Sequence, residues 1–164
     1  GNGFEGIAVV GEGTSTRIYV AFQREWKNDP AGRVRIGVFN PDSGEWGFIY
    51  YPLDTAPEGA WVGLSELTSI GNGQFLVIER DNQQGPAAEV KRLYRIDLNG
   101  VKPAAEGQSF PLVNKRLERD LLPDLKSTGG WVLDKVEGAA VDKQGRLFVV
   151  TDNDGVMRLG VVKR

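Results

Sequence analysis

Three stretches of the chain set a carboxylate at the head of a short apolar run. Glu5-Gly6-Ile7-Ala8-Val9 returns as Glu137-Gly138-Ala139-Ala140-Val141, with a weaker copy in Glu66-Leu67-Thr68-Ser69-Ile70. Asp81 lies 15 residues after Glu66 and Asp152 lies 15 after Glu137; with four extra turn residues in the first copy, Arg24 takes the equivalent place. The second apolar run of two copies thus ends in charged groups, Glu79-Arg80-Asp81 and Thr151-Asp152-Asn153-Asp154. Carboxylates that converge repel one another unless a cation or a basic partner sits among them. A set of such oxygens suits a hard cation such as Ca²⁺.

The rest of the composition narrows the chemistry. The 164 residues include no Cys and no His. Thiolate nucleophiles, disulfides, Cys-ligated zinc and His-based triads or zinc sites are excluded. Catalysis is left to carboxylates, Lys, Arg, Tyr, Ser or Thr, or to a metal bound by oxygen. Lys+Arg 20 against Asp+Glu 22 leaves a net charge of −2, so no positive field draws in nucleic acid or an anionic membrane surface. No apolar run approaches the roughly 20 residues of a membrane span. At this length, with 40% hydrophobic residues, we expect residues 1–164 to form one domain with a real core.

The elements that must position these acids read as strands. Arg17–Phe22, Arg33–Phe39, Trp46–Tyr51, Gln74–Ile78, Arg92–Ile96 and Arg146–Val150 are short β-branched and aromatic runs. Asn40-Pro41-Asp42-Ser43-Gly44, Gly71-Asn72-Gly73 and Asp142-Lys143-Gln144-Gly145 read as the turns between them. The expectation is an all-β domain of antiparallel sheets. Leu117, Leu121, Leu122 and Leu125 recur at helical spacing, so a short helical insertion is expected near 113–125, interrupted by Pro123.

Repeats starting near 4, 65 and 136 predict β-propeller blades. Their heads are 61 and 71 residues apart, longer than the roughly 40–50 of common blades; loops at 52–63 and 98–130 take up the excess. About three repeats are too few for a closed ring. Gly1-Asn2-Gly3-Phe4 reads as a trimmed end inside a first strand, so the expected partners are the remaining blades of a larger propeller or further copies of the chain. In a propeller the first strands line the channel. Glu5, Glu66 and Glu137 would then converge there, with Glu79-Arg80-Asp81 and Thr151–Asp154 around the same mouth.

Gly3–Ala8, Phe75–Asp81, Val136–Ala140 and Thr151–Gly155 resemble the phytase-like family (esterase-like activity of phytase). The resemblance implies a bacterial, periplasmic or secreted β-propeller-related domain that hydrolyses phosphate esters of small molecules, with a divalent metal such as Ca²⁺. Carried onto this chain, it implies Glu79, Arg80 and Asp81 as catalytic residues and Glu5, Glu137, Asp152 and Asp154 as metal ligands. Such an enzyme, without His, would use a carboxylate-held ion to polarise the phosphoryl oxygens, a further acid as general base and Arg80 or a Lys against the developing charge.

Other readings of the same residues stay open. Glu5 and Glu137 could cap backbone N–H groups of a neighbouring sheet. Asp152-Asn153-Asp154-Gly155 reads as an Asx-rich turn more readily than as half a calcium loop. Arg80 could bind phosphate or pair with a neighbouring acid. Trp26, Trp46, Trp61 and Trp131 read as packing or loop anchors. A non-catalytic segment that binds a protein or glycan and a lactonase-like propeller with one axial Ca²⁺ are the alternatives to a phosphoesterase.

Overall fold

The computed structural model describes residues 3–127, 129, 131–133 and 135–152. Strands β1 (Phe4–Val10), β2 (Arg17–Phe22), β3 (Arg33–Asn40) and β4 (Glu45–Pro52) form one antiparallel meander. A second is built from β5 (Val62–Gly71), β6 (Gln74–Asp81), β7 (Lys91–Asp97) and β8 (Lys115–Asp120). Strands β9 (Lys135–Val141) and β10 (Leu147–Asp152) pair as a hairpin. The three expected turns connect β3–β4, β5–β6 and β9–β10. At the β5–β6 turn Gly71, Asn72 and Gly73 all have positive φ, a conformation that glycine and asparagine adopt most readily. The fold is all-β with one short helix, and its sheets do not close a ring among the described residues.

The sheets stack in chain order, and β6 explains how. Phe75 and Val77 pack toward the first sheet with Leu67, Tyr94, Ile36 and Tyr51. The alternate residues Leu76 and Ile78 pack with Val136 and Ala139 of the hairpin. A strand buried on both faces needs a continuous apolar run, which is what Phe75–Ile78 supplies. Strand β1 lies against β5, and β5 against β9. The β1–β5 approach depends on Gly6, whose imagined Cβ would stand 2.1 Å from the Leu67 backbone nitrogen.

The stretch expected to be helical is mostly strand. Lys115–Asp120 pairs with β7, Tyr94 opposite Leu117 and Leu93 opposite Arg119, and only Leu122–Ser127 is helical, as α1. Ladder pairing overrides the leucine spacing: Leu117 is half exposed, whereas Leu121 and Leu122 are buried. The charges among these leucines suit an edge strand, which they keep from pairing with other chains. Pro123 sits in the first turn of α1, where its missing N–H costs nothing. Part of the β7–β8 connection also runs along the free edge of β4. Phe48 N–H donates to Ala104 at 2.8 Å and Tyr50 N–H to Pro111 at 2.8 Å.

Strand pairing moves the middle repeat by one residue. Each first strand carries a bulge near its start, at Glu5 between Phe4 and Gly6, at Ser65 between Leu64 and Glu66, and at Glu137 between Val136 and Gly138. By register Ser65, not Glu66, matches Glu5 and Glu137, while Glu66 matches the glycines. Arg80 then matches Asp152, and Arg24 matches Asp81. Counting acids aligned the sequence on Glu66, whereas the ladder aligns the bulges.

Candidate functional site

The starts of β1, β5 and β9 lie at one end of the stack, beside the ends of β2, β6 and β10. Leu64 N–H donates to the Gln23 carbonyl at 2.9 Å and joins the first two sheets there. The three glutamates meet electrostatically at this end. Burial raises the Glu5 pKa, and the Glu137 charge adds to the rise; Arg80 and Lys135 oppose it. Burial likewise raises Glu66, with a smaller push from Glu137, while the Leu67 N–H bonds its carboxylate at 2.7 Å. Glu137 is therefore the acid that both others feel.

The cation among them is a side chain. Arg80 donates to the Glu137 carboxylate at 3.0 Å, and its guanidinium lies 5.3 Å from the Trp61 ring centroid. Among the described residues no three acids are grouped so as to hold a metal ion. Of the expected ligands, Glu137 pairs with Arg80, and Glu5 feels the charges of both. Asp152 is exposed at the end of β10, opposite Lys135, and Asp154 lies outside the described residues. Among the described residues, these donors do not form a calcium cage as they stand.

Glu79, Arg80 and Asp81 are adjacent in sequence, but the structure does not bring them into one site. Side chains alternate along a strand, so Glu79 faces the first sheet and Arg80 the third. Fully buried Glu79 accepts hydrogen bonds from Tyr51 Oη at 2.8 Å, from Lys115 Nζ at 2.6 Å and from the Asp54 N–H. Asp54 in turn accepts from Lys115 at 2.7 Å, and from Arg92 and Tyr94. Burial raises the Glu79 pKa, opposed by Lys115; in Asp54 the bonds from Lys115, Tyr94 and Arg92 outweigh burial and lower it. Tyr51 and Tyr94 are raised by burial and by these carboxylates.

Asp81 closes a loop. Its carboxylate accepts from the N–H groups of Gln83, Glu89 and Val90 and pairs with Lys91 at 2.7 Å. Both side chains of that pair are fully buried, and the Lys91 ammonium also bonds the Asp81 and Gln83 carbonyls.

A family model described as phytase-like, esterase-like activity of phytase, matches residues 1–155. The chain belongs to the phytase-like family. The family's description associates it with esterase-like, hydrolase-related activity. No curated protein and no solved structure matches the chain. In this phytase-like chain, reading the sequence missed Lys115, Asp54 and Tyr51, which hold Glu79. It also undervalued Trp61, which touches Arg80 and, at 5.0 Å from its ring centroid, the Arg24 guanidinium. No spacing signal marks these groups, because Tyr51, Asp54 and Trp61 come from β4 and the loop after it while Lys115 comes from β8.

Proposed function

We propose that this chain is part of a propeller-like hydrolase acting on phosphate esters of small molecules, with Glu5, Arg80 and Glu137 as its reacting site. The observation that carries the reading is the Arg80–Glu137 contact between β6 and β9, with the bulge glutamate Glu5 of the first sheet near enough to feel both charges. Support for a propeller comes from the matching bulges and from the outer flanks of the stack. Leu67 is buried between sheets, whereas its register equivalent in β1, Ile7, is 66% exposed beside exposed Phe4 and Val9. Exposed Phe148 and Val150 lie on the hairpin at the other end of the stack. Apolar flanks of this kind suit further sheets.

In the proposed reaction Arg80 balances negative charge on the phosphoryl oxygens, and Glu137 holds it in place. Water attacks phosphorus, the bond to the leaving oxygen breaks, Glu5 gives that oxygen a proton, and a proton of the attacking water returns to Glu5 from the phosphate product. Its raised pKa suits Glu5 to carry one. No step is assigned to a metal; calcium enters as one arm of the test.

The rival reading, a non-catalytic binding or completing segment, draws on Glu79 and Asp81 being committed to internal bonds. The 164-residue chain should be assayed on p-nitrophenyl phosphate, p-nitrophenyl acetate and a simple lactone, each with EDTA and with calcium. Hydrolysis of the phosphate ester, lost in Glu5→Gln, is the expected result. Lactone hydrolysis alone would point to the lactonase-like alternative, and no hydrolysis of any substrate to the non-catalytic one.

A further inference from the structure

Arg24 is the feature at this end of the stack that the proposed reaction leaves unused. By strand register it occupies the place of Asp81, whose carboxylate ties down the loop after β6. An arginine cannot accept those N–H groups. The loop after β2 is fastened by other acids instead: Glu25 accepts from Gly32 N–H at 3.0 Å and Asp29 from Trp26 N–H at 2.9 Å. Arg24 is thus free of the structural task its counterpart performs.

Its surroundings are those of a binding residue. The guanidinium lies against Trp61, the same indole that touches Arg80, and the Nε is buried without a hydrogen-bond partner. The nearest acid, Glu25, stands 4.0 Å away. A cavity of about 270 Å³ opens here, lined by Arg24, Glu25, Asp54, Thr55 and Trp61, a little below the roughly 300 Å³ at which small-molecule pockets begin. The two acids on its wall are already engaged, Glu25 by Gly32 and Asp54 by Lys115, Arg92 and Tyr94. The Arg24 Nε is left without a hydrogen bond, with only the Glu25 carboxylate at 4.0 Å, while 36% of the side chain stays exposed. A buried donor without a partner favours a ligand that brings one, and a guanidinium favours an anionic oxygen.

We infer that Arg24 and the cavity beside Trp61, the ring that also touches Arg80, form an anion pocket that anchors the substrate. The inference rests on the hydrolase reading for the word substrate, but the pocket can be tested without it. Inorganic phosphate is titrated calorimetrically into the wild-type chain, Arg24→Gln and Arg24→Lys, with thermal unfolding of each as a check of folding. Removing one charge-assisted contact should weaken phosphate binding about tenfold in Arg24→Gln and less in Arg24→Lys, which keeps the charge without the fork. With p-nitrophenyl phosphate the loss should fall on KM more than on kcat.

Equal phosphate affinity in wild type and Arg24→Gln would overturn the pocket and leave the hydrolase reading standing. Phosphate binding that depends on Arg24, with no hydrolysis by the wild type, would keep the pocket and overturn the hydrolase reading. A wild type that neither binds phosphate nor hydrolyses the ester would overturn both.

Discussion

Arg80 of β6 donates to the Glu137 carboxylate of β9 across 3.0 Å, with the arginine side chain 4% exposed and the glutamate 27%. This pair joins the second sheet to the hairpin, and its positive charge opposes the push that Glu137 exerts on Glu5. Replacing the guanidinium leaves Glu137 without its cation and its repulsion of Glu5 less opposed. Arg80→Gln should lower stability by about 1–3 kcal/mol, less than breaking a fully buried pair costs, because Glu137 is partly solvated. Urea unfolding checks the value, and an unchanged midpoint would mean that solvent already screens the acids.

The raised pKa of Glu5 makes a signed prediction. The folded chain binds that proton more tightly than the unfolded one. The stability Glu5 contributes is therefore fully present below its ordinary value of 4.5 and is lost as pH rises through the raised value. Glu5→Gln cannot ionise, so it should gain on the wild type between about pH 4 and pH 8. Denaturant midpoints of both proteins at the two pH values test this. A difference that stays constant with pH would show that Glu5 titrates as an ordinary glutamate.

Asp81 and Lys91 form a fully buried pair, and breaking such a pair from one side typically costs about 3–5 kcal/mol. Asp81→Ala should fall in that range, because it strands the ammonium and three backbone donors. If Asp81 instead acted in the chemistry, its loss would abolish hydrolysis at nearly unchanged stability. Parallel urea melts and rate assays separate the two roles.

Gly6 is required by the β1–β5 approach, since an added methyl would meet the Leu67 backbone at 2.1 Å. Backbone cannot give way as a flexible side chain can. Gly6→Ala should destabilise by about 3 kcal/mol or more, read as a drop in Tm. Gly44, at a hairpin turn with open space around its Cβ position, is a control for the crowding at Gly6; its positive φ alone should make Gly44→Ala cost about 1 kcal/mol.

The strands were legible because their residues alternate or run apolar between Gly- and Pro-rich turns, and Phe75–Ile78 reads directly as a strand buried on both faces. That Glu5 and Glu137 lie at the same end of the sheets was legible too, since both head a repeat. Leu117 misled because leucines at helical spacing look alike whether they pack a helix or dot an edge strand, and only pairing with Tyr94 decides. Ser65 stayed hidden behind Glu66 because a bulge adds one residue that composition does not mark. The partners of Glu79 were out of reach for another reason. Asp54, Lys115 and Tyr51 are 25, 36 and 28 residues away in sequence, and tertiary packing alone brings them together.

The central claim is that Glu5 and Glu137 around Arg80 hydrolyse phosphate esters. Its most direct test is kcat/KM for p-nitrophenyl phosphate in the wild type, Glu5→Gln, Glu137→Gln and Glu118→Gln, the last removing an acid of the β8 edge paired with Arg95. The account predicts measurable wild-type hydrolysis, losses of about a hundredfold or more in the first two variants and little change in Glu118→Gln. Hydrolysis that survives in Glu5→Gln and Glu137→Gln, or falls equally in all three, would contradict it.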